Sequence, residues 1–164
     1  MSDKDRPEID AGVYDTVLRE LRTALQTAGN EIEAHELVCE QLYGRFDHYS
    51  WVGIYVIEGD ELVLSAYSGV EETEHTRIAV GEGICGLAAA TGETQIVPDV
   101  SERPEFIACF PSTQSEIVVP IHGPNGVLGE IDIDSDWLEA FDERDRQLLE
   151  EIASELAAII SSAA

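Results

Sequence analysis

The chain has 164 residues, the size of a single domain that buries roughly two thirds of its unfolded surface. Thirty-four acidic residues face nine basic ones, giving a net charge of −25 that repels phosphate backbones and anionic lipid and so excludes nucleic acid and membrane surfaces as partners. A hydrophobic content of 44 % excludes disorder as the meaning of that acidic bias, and with Lys4 as the single lysine the composition is that of a protein adapted to high salt, where screening relieves self-repulsion.

Residues 1–10 are charged and expected to be flexible, with no apolar core of a signal peptide. No later apolar run approaches the ~20 residues that span a bilayer, so a cytoplasmic protein is expected. From Asp10, the four-residue spacing of Val13, Val17, Leu21 and Leu25 predicts an amphipathic helix ending near Gly29. A second helix from Glu31 carries Leu37, Val38 and Leu42 inward and ends near Gly44. The period then changes. Trp51 to Ile57 and Leu62 to Tyr67, separated by Gly59-Asp60, read as a β-hairpin.

A polar loop, Gly69 to Thr76, leads to a short strand, Arg77 to Val80. The run G-E-G-I-C-G (Gly81 to Gly86) then enters an alanine-rich stretch stopped by Gly92, and predicts a tight turn opening a short helix. A strand at Thr94 to Val97 precedes a long irregular segment with Pro98, Pro104 and Pro111. Strands Ile117 to Ile121 and Val127 to Asp134 flank a Pro124-Asn125-Gly126 turn. The last helix starts near Asp142, its N-cap, with Leu149, Ile152, Leu156 and Ile159 as its inward stripe. Two helices, an antiparallel sheet and a closing helix make one α+β domain over residues 11–162.

Alternation assigns the strand faces. Trp51 and Tyr55 share one face of their strand and Val52, Ile54 and Val56 the other; on the last strand Glu130, Asp132 and Asp134 oppose Ile131 and Ile133. Aliphatic faces toward the helices leave an aromatic and acidic face for a ligand pocket, although a half-exposed strand gives the same alternation. Cys85 falls in the first turn of the short helix, where free N–H groups and the dipole lower a thiol pKa and attract a carboxylate. A purely steric need for those glycines is the other reading. Cys39, Cys85 and Cys109 are an odd number without a C-x-x-C pair, which fits neither a disulfide framework nor a zinc site. A metal site of His75, the acids and a cysteine is disfavoured, because His75 and Cys109 lie in different loops with no ligand spacing.

Six motifs in order, W-V-G-I-Y (Trp51 to Tyr55), G-E-G-I-C-G, V-P-D-V (Val97 to Val100), I-A-C (Ile107 to Cys109), S-E-I-V-V-P (Ser115 to Pro120) and D-I-D-S (Asp132 to Ser135), resemble free methionine-(R)-sulfoxide reductase. The similarity spans roughly Asp15 to Leu156. That family is a single GAF domain, and the resemblance implies a GAF-like antiparallel sheet with two N-terminal helices and one C-terminal helix on one face and a ligand pocket on the other. It also implies a thiol reductase for the free amino acid, with no bound cofactor or metal. Cys109 matches the cysteine that attacks the sulfoxide sulfur, and Cys85 or a small external thiol is left to condense with the resulting sulfenic acid; thioredoxin or a similar thiol reductant then reduces the disulfide. Glu116, Asp132 and Asp134 match the carboxylates that hold the substrate, Trp51 and Tyr55 the aromatic wall, and Ser115 joins them as a substrate contact.

The chemistry of these residue types agrees. Clustered carboxyls raise one another's pKa, so one can protonate the sulfoxide oxygen while an ionised pair suits an ammonium, and the Gly83 to Gly86 N–H groups suit a carboxylate. The ligand class is free methionine sulfoxide or a similar small zwitterion. The chain departs from the family in three places: the Val70 to Thr76 loop lacks the usual third cysteine, Phe106 and Phe110 flank I-A-C, and Glu130 replaces an apolar residue. The missing cysteine favours a second reading, a non-enzymatic GAF module sensing a small cationic metabolite. The apolar tail Leu156 to Ile160 allows a homodimer.

Overall fold

A computed structural model describes residues 8–70, 72–104 and 110–163. Helices α1 (Ala11–Leu25) and α2 (Glu31–Arg45) precede strands β1 (Trp51–Glu58), β2 (Glu61–Gly69) and β3 (Arg77–Ala79). Helix α3 (Gly83–Thr91), β4 (Gln95–Val97), β5 (Ser115–Gly123), β6 (Gly126–Ser135) and α4 (Glu143–Ala163) follow. Every expected element is present, with ends shifted by a few residues. The helix α1 stops at Leu25, short of the expected Gly29, because Thr27 folds its hydroxyl back onto the Ala24 carbonyl at 2.7 Å.

The strands form one antiparallel sheet in the order β3-β2-β1-β6-β5-β4. Pairing β1 with β6 closes the sheet across the whole length of the chain and puts two hairpins side by side. Helices α2 and α4 pack on one face, and α1 packs chiefly against those two helices. Val52, Ile54, Ile117, Val119, Ile131 and Ile133 meet them in the main core. Each of these aliphatic side chains contributes roughly 1.5–3 kcal/mol by leaving water. Helix α3 lies on the opposite face, over β5 and β6, with a second core of Trp51, Tyr55, Leu62, Ile84, Cys85 and Val118.

Caps fix the helix entries. Asp10 caps α1 through the Gly12 N–H, and Asn30 caps α2 through the Glu33 N–H while Glu33 reaches back to the Gly29 N–H. At α4, Asp142 accepts from the Arg144 N–H and Asp145 from the Asp142 N–H. Asp145 is fully buried and also accepts from Tyr49 at 2.8 Å and pairs with His48 at 2.9 Å. Burial pushes its carboxyl up, but the His48, Asp142 and Tyr49 hydrogen bonds prevail and hold it at about 2. His35 of α2 is buried against Ser65, the residue bulged out of the β1–β2 register, at 2.7 Å. Burial lowers its pKa to about 4.

Of the N-terminal residues expected to be flexible, Ile9 packs against the core and its carbonyl accepts from Arg144, while residues 1–7 lie outside the described ones. In the apolar tail Leu156 is fully buried, and Ile159 and Ile160 are partly buried against the same core. Among the described residues, no helix is long and apolar enough to cross a membrane.

Candidate active site

The register aligns the acidic face. Trp51 lies opposite Asp134, Gly53 opposite Asp132, and Tyr55 opposite Glu130; across β5, Glu116 faces Asp134, Val118 faces Asp132 and Pro120 faces Glu130. Directly opposed residues share a face, so Glu116, Glu130, Asp132 and Asp134 form one group beneath α3. Their exposures are 4 %, 0 %, 1 % and 1 %, which removes the half-exposed strand as an account of the alternation. Oxygens of all four lack a hydrogen-bond partner, and among the described residues no basic side chain forms an ion pair with them.

Charge distributes unevenly over this group. Burial raises every one of the four, and the negative charge of Asp132 further raises Glu116, Glu130 and Asp134. Asp132 is raised by burial alone, opposed by the neighbouring Glu116 carboxyl and Cys85 thiol. Burial and mutual repulsion therefore keep protons on part of this group above the ordinary carboxylic range. A coupled group of this kind can offer both a negative charge and an acidic proton.

Helix α3 brings Cys85 onto this group. Its entry explains the glycine run: Gly81 and Gly83 have φ of 97° and 66°, and a Cβ on Gly86 would lie 2.7 Å from the Ala79 carbonyl. These glycines therefore meet a steric requirement of the turn. The expectation of a lowered thiol pKa does not hold: burial first, then Asp132, Glu130 and Glu116, push Cys85 well above its ordinary value and outweigh the helix terminus. The Gly86 N–H also bonds the Glu82 carbonyl at 2.8 Å, leaving Gly83, Ile84 and Cys85 as the N–H groups outside the ladder of the helix.

A cavity of about 150 Å³ opens beside Asp134, lined by Ser50, Trp51, Val70, Phe110 and Thr113. Trp51 stacks on Tyr67 at 5.9 Å and meets Phe110 at 5.7 Å, with its indole N–H unpartnered. Thr113 reaches Asp134 at 3.4 Å. A larger depression of about 620 Å³, near His122, Arg146 and Glu150, shares no residue with the carboxyl group and lacks its chemistry.

Two expected site residues sit elsewhere. Tyr55 is on the acidic face but does not line the cavity; its hydroxyl donates to the His75 carbonyl at 2.8 Å and anchors the loop before β3. Ser115 points to the opposite face, because it alternates with Glu116, and bonds the Trp137 carbonyl and the Ala140 N–H. Cys109, with Phe106 and Ile107, lies outside the described residues; in the chain it directly precedes Phe110 of the cavity wall. Phe110 and Thr113 as lining residues escaped the strand alternation, since both belong to the irregular segment.

The sheet order, the helix placement and the buried acidic face define a GAF domain, and the family described as "GAF domain" matches residues 33–161. The chain is 37% identical over 140 residues to GAF domain-containing protein A of Dictyostelium discoideum, covering 85% of this chain and 87% of that protein. It is 36% identical over 121 residues to free methionine-R-sulfoxide reductase of Escherichia coli, covering 74% and 72%. The structure of free methionine-R-sulfoxide reductase from Neisseria meningitidis in complex with its substrate superposes with a TM-score of 0.89 at 33% identity, covering 99% and 98%. The chain belongs to the free methionine-(R)-sulfoxide reductase family of single GAF domains.

Proposed function

We propose that this protein reduces free methionine-(R)-sulfoxide to methionine with cysteine thiols. The observation that carries the reading is the convergence of Glu116, Asp132 and Asp134, buried and without basic partners among the described residues, beside a cavity walled by Trp51 and Phe110. An ionised Asp132 suits the substrate ammonium, and the N–H groups of Gly83, Ile84 and Cys85 suit its carboxylate. Relatives named as reductases favour turnover over a non-enzymatic sensor.

In the proposed reaction, the Cys109 sulfur attacks the sulfoxide sulfur while Glu116 or Asp134 protonates its oxygen. The oxygen passes to Cys109, which becomes the sulfenic acid; methionine leaves, its sulfur reduced by two electrons. The Cys85 thiol then attacks that sulfenic acid, forming a disulfide and releasing water. A thioredoxin-like dithiol reduces the disulfide, so no bound cofactor is needed. With no cysteine in the Val70 to Thr76 loop, Cys85 or a small external thiol must perform the second step.

The discriminating experiment compares free methionine-(R)-sulfoxide with the same residue acetylated and amidated, which removes both charges. Turnover confined to the free amino acid, and lost in Asp132→Asn, supports the reading. Equal rates on both compounds contradict it.

A further inference from the structure

The Cys85 thiol and one carboxyl oxygen each from Glu116 and Asp132 lie within 4.8 Å of one another, and all three side chains are buried. The convergence follows from the fold. Asp132 faces Val118, two residues along β5 from Glu116, and α3 lays Cys85 over this strand pair. A separate observation concerns Glu130, which the proposed reaction does not use. It is fully buried with the Cys85 thiol and Asp132 as neighbours, and neither of its oxygens makes a well-formed hydrogen bond. A buried carboxyl left in that state costs about 1–3 kcal/mol, a cost that a coordinated cation removes.

We propose that Cys85, Glu116 and Asp132, with Glu130 beside them, bind a divalent transition-metal ion of the zinc class. One sulfur and two carboxylate oxygens make three converged donors and leave a fourth position for the Glu130 carboxylate beside them; the sulfur selects zinc, cobalt or cadmium over magnesium and calcium, which prefer oxygen alone. A tetrahedral shell of these donors has edges of about 3.5 Å, so the present spacing needs a contraction of about 1 Å. Cys85 enters the shell as thiolate, and it and the protonated carboxyls of the set release their protons to solvent. The ion occupies the carboxyls assigned to the substrate ammonium, so metal and methionine sulfoxide exclude one another. That last consequence rests on the reductase reading; the metal site does not.

Cobalt titration of the full-length, reduced, chelator-treated protein tests the site through the near-ultraviolet thiolate-to-cobalt charge-transfer band. The band is expected to saturate at one equivalent and to disappear when zinc is added. It is retained in Cys39→Ser and Cys109→Ser, and absent from Cys85→Ser with an unchanged far-ultraviolet circular dichroism spectrum. Glu130→Gln is expected to weaken cobalt binding roughly tenfold or more. Should Cys85→Ser fail to fold, Asp132→Asn gives the same loss with the thiol retained. No band, a band that persists in Cys85→Ser, or weak unsaturable binding by surface acids only would overturn the proposal. Turnover is not read, so failure here leaves the reductase reading standing.

Discussion

The indole of Trp51 lies across Gly53, so close that a Cβ on Gly53 would come within 2.2 Å of its Cη2. The same ring crosses Gly69, where a Cβ would lie 2.5 Å from Cδ1. Two glycines on adjacent strands thus make the bed for the aromatic wall of the cavity, and Tyr67 and Phe110 hold the ring from its other sides. Gly53→Ala must displace the indole. The expected outcome is a fold preserved by circular dichroism, a stability lower by about 1–3 kcal/mol, and a KM for methionine sulfoxide raised roughly tenfold. An unaltered KM would show that Trp51 does not touch the substrate.

Glu130 is expected to destabilise the protein. Its raised pKa means that the folded state holds the proton more tightly than the unfolded chain, so its contribution is fullest below the unfolded value and is lost as pH rises through the folded one. Glu130→Met fills the space without an unpaired carboxyl. In metal-free buffer, urea unfolding should show a gain of about 1–3 kcal/mol for this variant, growing as the pH is raised.

His35 gives an opposite dependence. Burial lowers its pKa from 6.5 to about 4, so the unfolded chain binds the extra proton first and stability falls on acidification through that interval. Relative to His35→Gln, the wild type should lose about 1.4 kcal/mol per pH unit within this window. Parallel stability profiles for the two proteins would contradict this assignment.

Surface charge makes a prediction about salt. Arg22 bridges Glu151 and Glu155, Arg45 pairs with Glu20, and Arg146 with Glu143 and Glu150, all at exposed positions worth about 0–1 kcal/mol each. Nine basic residues cannot neutralise thirty-four acids. Raising KCl from low to molar concentration should therefore raise the melting temperature by about 5 °C or more. A flat response would remove salt adaptation as the reason for the composition.

The face assignment was legible because β-strand alternation is strict: Ile131 and Ile133 inward left Asp132 and Asp134 no choice of side. The same rule sends Ser115 away from Glu116, which overrides its place in a shared motif. Burial of the acids was not legible, since it depends on α3 folding over β5 and β6, a contact between distant segments. The thiol of Cys85 was misjudged for the same cause. Its helix position is local, whereas the carboxyls that raise its pKa arrive from β5 and β6. Phe110 and Thr113 belong to a segment with no period, so nothing in the order of residues aims them at the cavity.

Thiol-dependent reduction of free methionine-(R)-sulfoxide by the purified protein in molar KCl, measured beside Cys109→Ser and Cys85→Ser, tests the central claim most directly. The expected result is turnover in the wild type, none in Cys109→Ser, and turnover in Cys85→Ser that dithiothreitol supports but thioredoxin does not. A folded wild-type protein that turns over with neither reductant, or a Cys109→Ser variant as active as the wild type, would contradict it.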